Sequence, residues 1–447
     1  MSVELLCAQW VVPVEPASVV LTDHTVAIED GRILAIEPTV QARQRWPDAP
    51  RTLLPGQMLL PGLVNLHSHA AMSLLRGAAD DLPLQQWLAD RIWPIEGKLM
   101  SPEFVFDGAL LAAYEMLRGG ITCFNDMYFF PEQTVRAATA LGMRTTVGII
   151  VFEFHSAYGS GPDDYLRKGL ELRDRLRDDP MVGFTLAPHA PYTVSDASFR
   201  RIASIAAELG VPVHCHVHET AFEVQASLRE HGKRPLARLD ELGILGPELI
   251  AVHAVHLNDD DIDALARNGA SVAHCPHSNL KLACGIAPAA SLVERGVNVG
   301  IGTDGSASNN RLDLIGEART ASLLAKGISG NAAAWPAHQT LRAMTINGAR
   351  ALGLGDRIGS IEAGKAADLI AVDLSAVEHI PVFDPVSQFV YAADRQCVST
   401  VWINGIAVVH KRQLVDANAA SLVAEVAARG RLWHNRAGEI LSFSRDK

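Results

Sequence analysis

An alternation of helical and apolar segments between residues 58 and 355 limits the fold of this 447-residue chain more than any other feature. Segments whose apolar residues recur at helical spacing alternate with short apolar runs that have the length of buried strands. The runs cover residues 59–69, 121–124, 145–152, 182–187, 211–217, 249–255, 270–273 and 297–302. Eight strands alternating with helices predict an α/β fold with a parallel (β/α)8 TIM-like barrel.

A doubly wound open sheet is the alternative arrangement for strands that alternate with helices. That fold needs a crevice where the strand order reverses, and it usually carries a glycine-rich turn after its first strand. No Gly-x-Gly-x-x-Gly motif follows the first predicted strand of this chain. The sequence therefore favours the closed barrel.

Two regions outside the alternation have β character. Residues 1–57 contain short apolar runs, two of which flank the turn signal Asp30-Gly31. The C-terminal region has further runs at residues 367–372, 398–404 and 406–409, followed by a predicted helix at 418–433. We predict that residues 1–57 and 356–447 form one small composite β-sandwich domain and that residues 58–355 form the catalytic barrel.

Composition excludes several classes of protein. The net charge of −11 argues against a nucleic-acid binder. Because no apolar run reaches 18 residues and no basic segment precedes an apolar one at the N-terminus, we expect neither a membrane span nor a signal peptide. The six cysteines are scattered, which is typical of free thiols in the cytoplasm. The apolar surface of a barrel also predicts a homo-oligomer.

The first predicted strand ends in His67-Ser68-His69, which is the strongest chemical signal in the chain. Alternate side chains of a strand point to the same face, so both imidazoles should project together. Chemistry in barrels takes place at the carboxyl ends of the strands. Two imidazoles in that position predict the beginning of a metal site.

Other predicted strand ends are polar in the same way. They carry His189, then His214, His216 and His218, then His253 and His256, then His274 and His277, and finally Thr303-Asp304. A catalytic zinc site takes a few histidine or carboxylate ligands and leaves one position for water. His67, His69, Asp304 and one histidine of the fifth strand meet this requirement, although spacing cannot choose among the three there. Iron or manganese could occupy the same donors.

Glu219 follows the last histidine of the fifth strand. Strict alternation would point its carboxylate away from the metal-facing side, so we predict that the strand has already turned before this residue. The carboxylate would then reach a metal-bound water. A solvated carboxylate at the start of the next helix, before Thr220, is the alternative interpretation.

These segments resemble the amidohydrolase superfamily, in its single-metal aminohydrolase branch. The matching segments are 61–69 (PGLVNLHSH), 216–220 (HVHET), 253–257 (HAVHL) and 302–305 (GTDG). The chain is most similar to 5-methylthioadenosine/S-adenosylhomocysteine deaminases, through 69–77 (HAAMSLLRG), 94–96 (PIE), 187–192 (APHAPY) and 278–282 (SNLKL). The resemblance covers almost the whole length.

The resemblance implies zinc-dependent hydrolysis of the 6-amino group of adenine nucleosides, such as 5′-methylthioadenosine, S-adenosylhomocysteine and adenosine, to an inosine-type product and ammonia. It implies one zinc ion held by His67, His69, His216 and Asp304. It also implies catalytic roles for Glu219, His253 and Asp304, and substrate contacts from Glu96, His189, Glu219 and Asp304.

One departure from the family pattern bears on the substrate. Some members place arginines after the third strand, suited to an amino-acid carboxylate, whereas residues 145–166 contain neither arginine nor lysine here. This difference favours an uncharged 5′ group. Related hydrolases of guanine-type bases or triazines share much of the motif set, so hydrolysis of such a substrate is the alternative function. A catalytically inactive relative that serves as a scaffold is a remote alternative.

Overall fold

The computed structural model describes residues 3–443, whose strands form two sheets. The strands of the barrel are β6 (Leu63–Ser68), β7 (Ile121–Asp126), β8 (Arg144–Val151), β9 (Val182–Pro188), β10 (Val213–Val217), β11 (Leu249–His253), β12 (Ser271–His274) and β13 (Asn298–Ile301). All neighbouring pairs are parallel and follow chain order. The prediction of an eight-stranded parallel barrel is confirmed.

Hydrogen bonds join the first barrel strand to the chain that leaves the last one. The Asn65 side chain donates to Thr303 Oγ1 (2.7 Å) and accepts from the Thr303 N–H (2.9 Å). The N–H of Asp304 donates to the carbonyl of His67 (3.0 Å). A Cβ on Gly302 would lie only 2.8 Å from the Cβ of His67, so this close approach requires glycine. The two chain segments that carry His67 and Asp304 are therefore held side by side.

The second sheet contains strands from both ends of the chain, which confirms the composite β domain. Its strands are β1 (Glu4–Val11), β2 (Leu21–Thr22), β3 (His24–Glu29), β4 (Arg32–Pro38), β5 (Arg51–Pro61), β14 (Leu369–Asp373), β15 (Val398–Ile403), β16 (Ile406–His410) and β17 (Gln413–Leu414). They pair in the order β17-β16-β15-β14-β5-β1-β3-β4, with β2 beside β1. The domain therefore takes the form of one continuous nine-stranded sheet.

The apolar stretch at residues 59–69 was predicted as one strand, and this is wrong. It divides at Gly62, because β5 ends at Pro61 in the composite sheet and β6 starts at Leu63 in the barrel. A Cβ on Gly62 would lie 2.0 Å from Thr122 Oγ1, so the crossing fits only glycine. The strand that carries His67 is thus tied to both sheets. The predicted domain boundary after residue 57 falls within β5.

Helices connect the strands of both sheets, and most of them lie between strands of the barrel. They are α1 (Thr39–Arg45), α2 (Leu84–Trp87), α3 (Trp93–Leu99), α4 (Pro102–Arg118), α5 (Pro131–Ala140), α6 (Pro162–Leu176), α7 (Asp196–Leu209), α8 (Ala221–His231), α9 (Pro235–Glu241), α10 (Asp259–Arg267), α11 (Pro276–Lys281), α12 (Ala289–Glu294), α13 (Ser306–Asn309), α14 (Leu314–Ser329), α15 (Ala337–Ala343), α16 (Ile346–Ala351), α17 (Pro385–Tyr391) and α18 (Ala417–Phe443). None of these helices has the length and apolar character needed to cross a bilayer.

Two helix predictions need correction. The helical spacing of residues 221–242 predicts one helix, but the structure divides this segment into α8 and α9, because Gly232 adopts a positive φ of 68° and Pro235 starts the next helix. The C-terminal helix does not end at 433 but continues to Phe443. Ala437 and Ile440 in the added part are buried in an apolar cluster with Trp87 and Ile95, a partner that helical spacing alone does not reveal.

Residues 70–100 form an ordered segment over the barrel mouth, which we call the cover segment. It consists of a 3-10 turn (Ala70–Leu75), α2, a π-helical turn (Leu88–Ile92) and α3. Trp87 and Ile95 are buried in its apolar interior, together with Phe104 of α4. The long insertion after the first barrel strand is therefore an ordered part of the fold.

A buried ion pair joins the barrel to the composite sheet. Arg144 at the start of β8 donates to Asp368 Oδ2 (2.8 Å) and to Asn404 Oδ1 (2.9 Å). Both charged side chains are almost fully buried. Removing one partner of such a pair leaves the other charge buried without compensation.

We predict that Arg144→Met lowers the free energy of unfolding by about 3–5 kcal/mol, because Asp368 loses its counter-charge. Urea denaturation measures the difference. An Arg144→Met/Asp368→Asn double variant should recover part of the loss, and Arg167→Met on the exposed surface of α6 should leave stability unchanged. Equal stability of Arg144→Met and Arg167→Met would contradict the role of the pair.

Candidate metal and active site

The carboxyl ends of the barrel strands surround a cavity of about 450 Å³. The cover segment and the loops after β7, β8 and β9 complete its wall. The predicted site residues that line it are His69, Glu96, His189, His216, Glu219, His253 and Asp304. His67 lies fully buried directly beneath, with its Nε2 atom 3.3 Å from Asp304 Oδ1.

Two of the histidines are fixed to the backbone through the same ring nitrogen. His69 donates from Nδ1 to the carbonyl of Met127 (2.6 Å), and His216 donates from Nδ1 to the carbonyl of His189 (2.7 Å). Each bond places the proton on Nδ1 and leaves Nε2 as a lone-pair donor. Hydrogen bonds of this kind orient the histidine ligands of metal sites.

His67 and Asp304 supply the most direct test of whether a metal ion fits. The Nε2 atoms of His67 and His69 lie 3.3 and 3.4 Å from Asp304 Oδ1. Ligands at zinc distances in a tetrahedron are about 3.3 Å apart. The buried Nε2 of His67 has no hydrogen-bond partner in the described part of the chain. Burial also lowers the pKa of His67 to about 4, which keeps its lone pair available.

The potential ligands fall into two overlapping groups. His67, His69 and Asp304 form one group and His67, His216 and His253 the other, with the ligand atoms of each group within 4.8 Å of one another. His67 belongs to both groups. The structure thus brings the four residues of the predicted ligand set to one location, together with His253.

Three further groups anchor the carboxylate of Asp304. Ser278 and Ser308 donate their hydroxyls to Oδ2 (2.6 and 2.7 Å), and the N–H of Gly305 donates to Oδ1 (2.7 Å). Burial favours the neutral carboxyl, but the neighbouring imidazoles hold the pKa of Asp304 well below its ordinary value. The carboxylate is therefore ionised and rigidly placed. Sequence analysis did not assign Ser278 or Ser308, although Ser278 starts the 278–282 motif.

The structure distinguishes the three histidines of the fifth strand. His214 lies deepest, with Nε2 3.0 Å from Nδ1 of His67. His218 points away from the cavity, because its Nε2 accepts the N–H of Leu236 (3.1 Å). His216 alone of the three lines the cavity. Sequence spacing could not choose among these three histidines, and the structure does so through the point at which the strand ends.

That strand stops at Val217, and His218 adopts a positive φ of 57°. The turn brings Glu219 into the cavity, with Oε1 3.6 Å from Nε2 of His253. Glu223 holds the turn by accepting the N–H groups of His218 (2.9 Å) and Glu219 (2.8 Å). Sequence analysis overlooked Glu223, although Thr220 with Glu223 is a capping-box pattern.

Burial raises the pKa of the Glu219 carboxyl above its ordinary value. A carboxyl group with a raised pKa can take up and release a proton near neutral pH. His253 donates from Nδ1 to Asn279 Oδ1 (2.8 Å), which orients the ring so that its Nε2 faces Glu219. Sequence analysis did not identify Asn279, which also belongs to the 278–282 motif.

Left-handed backbone recurs where the strands meet the cavity. Besides His218, both His253 (φ 69°) and Asp304 (φ 60°) adopt this conformation. This backbone conformation is energetically costly for residues other than glycine. Residues that adopt it cluster at functional sites. At His218 this conformation ends the strand and brings Glu219 into the cavity.

Glu96 faces the histidine cluster from the cover segment. It accepts a hydrogen bond from the Tyr128 hydroxyl (2.6 Å), and burial raises its pKa to about 7. His189 lies opposite, stacked on Phe152 with ring centroids 4.6 Å apart, and burial lowers its pKa to about 3. Sequence analysis did not identify Tyr128.

Three further strand-end histidines do not join the site. His256 contacts the carbonyl of Cys284 (2.7 Å), His274 stacks on Trp335, and His277 contacts Glu317 (2.7 Å). Each is accounted for by a local structural partner. A histidine at a strand end is thus not sufficient evidence of a ligand.

Comparison with protein families matches residues 58–408 to the amidohydrolase family. The chain belongs to this family. It is 46% identical over 433 residues to a 5-methylthioadenosine/S-adenosylhomocysteine deaminase of Teredinibacter turnerae, with 97% of each chain covered. The predicted family membership is therefore confirmed, and with it the class of hydrolases that act on C–N bonds.

Two solved structures with bound zinc are similar to this chain over nearly its whole length. An adenosine deaminase from Xanthomonas campestris with bound zinc is 50% identical, with a TM-score of 0.94 over 97% of this chain and 98% of that one. The atrazine chlorohydrolase TrzN from Arthrobacter aurescens, complexed with zinc, is 26% identical, with a TM-score of 0.88 over 95% and 99%. Together with the histidine-rich cluster, these similarities indicate a divalent metal site.

We predict that His67→Ala lowers the metal content of purified protein at least tenfold, because His67 belongs to both ligand groups. Mass spectrometry of metals in purified protein measures this content. His338→Ala, at an ion pair with Asp384 outside the cavity, should retain wild-type metal. Equal metal content in the two variants would contradict the assignment.

Proposed function

We propose that this amidohydrolase removes the 6-amino group of an adenine nucleoside whose 5′ group is uncharged, using one zinc ion held by His67, His69, His216 and Asp304. The observation that supports this most is the convergence of Glu219 and His253, 3.6 Å apart, beside the paired His67 and Asp304. An acid–base carboxyl next to a set of metal donors is what hydrolysis at a purine C6 requires. Zinc would lower the pKa of a coordinated water to about 7.

Glu219 would carry the protons of the reaction. It takes a proton from the attacking water and delivers it to purine N1, which makes C6 electrophilic. The water oxygen bonds to C6, and the second proton passes to the leaving amine. The C6–N bond then breaks, ammonia leaves and a C6 carbonyl remains. The raised pKa of Glu219 suits a group that accepts and donates in one cycle.

His253 and Asp304 would orient the attacking water. Because His253 donates from Nδ1 to Asn279, its ring is fixed with Nε2 towards that water. Asp304 is ionised and fixed by its two serines, so it can accept the hydrogen of the water that Glu219 does not take. These two fixed groups would align the oxygen lone pair with C6, which contributes through positioning.

Glu96 and His189 would bind the substrate away from the reacting carbon. Tyr128 occupies one oxygen of Glu96, which leaves the other to accept a ribose hydroxyl. His189, held by Thr193 through Nδ1 (3.0 Å), presents Nε2 to the cavity. A carboxylate facing the purine site from the cover favours a nucleoside over a free base or a triazine.

An aromatic wall supports the uncharged 5′ group. Phe129, Phe152 and Phe154 line the cavity next to His189, with successive ring centroids 5.6 and 4.6 Å apart. Across the residues that the structure describes, neither lysine nor arginine lines the cavity. An amino-acid carboxylate would therefore be desolvated here without a counter-charge, whereas a methylthio group gains apolar contact.

A panel of substrates tests the proposal. We expect kcat/KM for 5′-methylthioadenosine to exceed that for S-adenosylhomocysteine at least tenfold, because only the first carries an apolar 5′ group. Ammonia release from both nucleosides, adenosine, guanine and a triazine measures it. A preference for guanine or the triazine would refute the nucleoside assignment.

We predict that Glu219→Gln retains zinc and loses about 10²–10⁴-fold in kcat, because the amide cannot transfer the proton. Metal analysis and steady-state kinetics measure the two quantities. Glu230→Gln, on the exposed surface of α8, is the matched control and should behave as wild type. Near-normal kcat in Glu219→Gln would remove this residue from the mechanism.

The pH dependence of KM tests the role of Glu96. Its pKa is raised to about 7 in the free enzyme, so the carboxyl is mostly neutral at pH 6 and ionised at pH 8. Because the ionised form is the better acceptor, KM for nucleosides should fall as pH rises through 7. Glu96→Gln should abolish this dependence and raise KM. A wild-type KM that is constant from pH 6 to 8 would contradict ribose binding by Glu96.

A further inference from the structure

We propose that the C-terminal half of α18 positions the cover segment, and through it Glu96, so that Trp433 is a positioning residue for nucleoside binding. The inference rests on the proposed function for the role of Glu96. It concerns a part of the chain more than 300 residues away from the cover segment in sequence. The buried residues of α18 and the apolar clusters that they contact support this inference.

The buried face of α18 contacts two different apolar clusters. Val423 and Val426, in its first half, pack against the main core of the barrel. Trp433, Ala437 and Ile440, in its second half, are buried in the cluster that contains the interior of the cover segment. Their spacing places them on one side of the helix. The helix therefore bridges the barrel and its cover.

A buried carboxylate fixes how α18 sits on the barrel. Asp107 of α4 is fully buried and accepts from Arg429 Nε (3.0 Å), Arg429 Nη2 (2.6 Å) and Trp433 Nε1 (2.9 Å). Without these donors, the carboxylate would lie unpaired in an apolar environment, at high cost. Rotation or sliding of α18 is therefore strongly disfavoured, and Trp433 keeps one orientation.

Trp433 connects this anchor to the cover segment. Its indole ring meets Phe104 edge to face, with ring centroids 5.3 Å apart. Phe104 and Trp433 share their apolar cluster with Trp87 and Ile95 of the cover segment. Ile95 is fully buried and directly precedes Glu96, so the packing of this cluster sets the position of that carboxylate.

The consequence for catalysis is selective. Glu219 and His253 lie at strand ends of the barrel and do not depend on the cover segment for their positions. Loosening the cover should therefore weaken nucleoside binding while leaving the proton-transfer groups intact. A side chain that only stabilised the fold would not separate KM from kcat in this way.

Trp433→Ala tests the inference, with Leu432→Ala as the control. Leu432 is the neighbouring residue on α18 and is 59% exposed. In Trp433→Ala we expect amide hydrogen exchange in residues 84–99 to accelerate at least tenfold and KM for 5′-methylthioadenosine to rise at least fivefold. We expect kcat and the inhibition constant of free adenine to change less than twofold. Leu432→Ala should match wild type, and Trp433→Phe should lie closer to wild type than Trp433→Ala.

Wild-type exchange of residues 84–99 in Trp433→Ala would overturn the inference, and so would faster exchange with an unchanged KM. If Trp433→Ala does not fold, Arg429→Gln replaces it, since this variant keeps the apolar face and loses only the anchor. It should accelerate the same exchange at least threefold, and wild-type exchange would again overturn the inference. A wild-type enzyme that deaminates no nucleoside would refute the proposed function instead. The exchange measurement would still show whether Trp433 holds the cover segment in place.

Discussion

Hydrogen bonds through Nδ1 determine what the centre of this amidohydrolase can do. His69 and His216 each donate from Nδ1 to a backbone carbonyl, and His253 donates from Nδ1 to Asn279. The three rings are therefore oriented with Nε2 towards the same cavity. The acceptors of His69 and His216 are backbone carbonyls just after barrel strands, and Asn279 lies on α11, so the fold around the cavity fixes the ring orientations. The proposed metal site and the proposed acid–base group both depend on this arrangement.

The sequence predicted the barrel well because each of its strands is an apolar run and each helix shows the 3.6-residue period. The predictions from sequence were wrong where hydrophobic periodicity carries no information. The crossing at Gly62 has apolar residues on both sides, and only the close contact with Thr122 shows why the chain divides there. The final turns of α18 interleave polar residues with the buried Trp433 and Ile440, and their partner lies far away in sequence.

The candidate site was only partly predictable. Alternation places His214, His216 and His218 on one face, so the sequence could not choose among them; the structure does so because a left-handed turn at His218 ends the strand. Asn279 and Tyr128 escaped notice because their partners, His253 of β11 and Glu96 of α3, are distant in sequence. Which residue will support a functional group depends on distances between strands, and spacing along one strand does not contain that information.

The central claim is that donors from the first, fifth and eighth barrel strands hold one zinc ion. An anomalous difference map at the zinc edge, from crystals of the zinc-loaded enzyme, tests it most directly. The account predicts one peak, about 2.0–2.2 Å from Nε2 of His67, His69 and His216 and from Oδ1 of Asp304. A peak held by His253 in place of Asp304, or a second peak in the cavity, would contradict it.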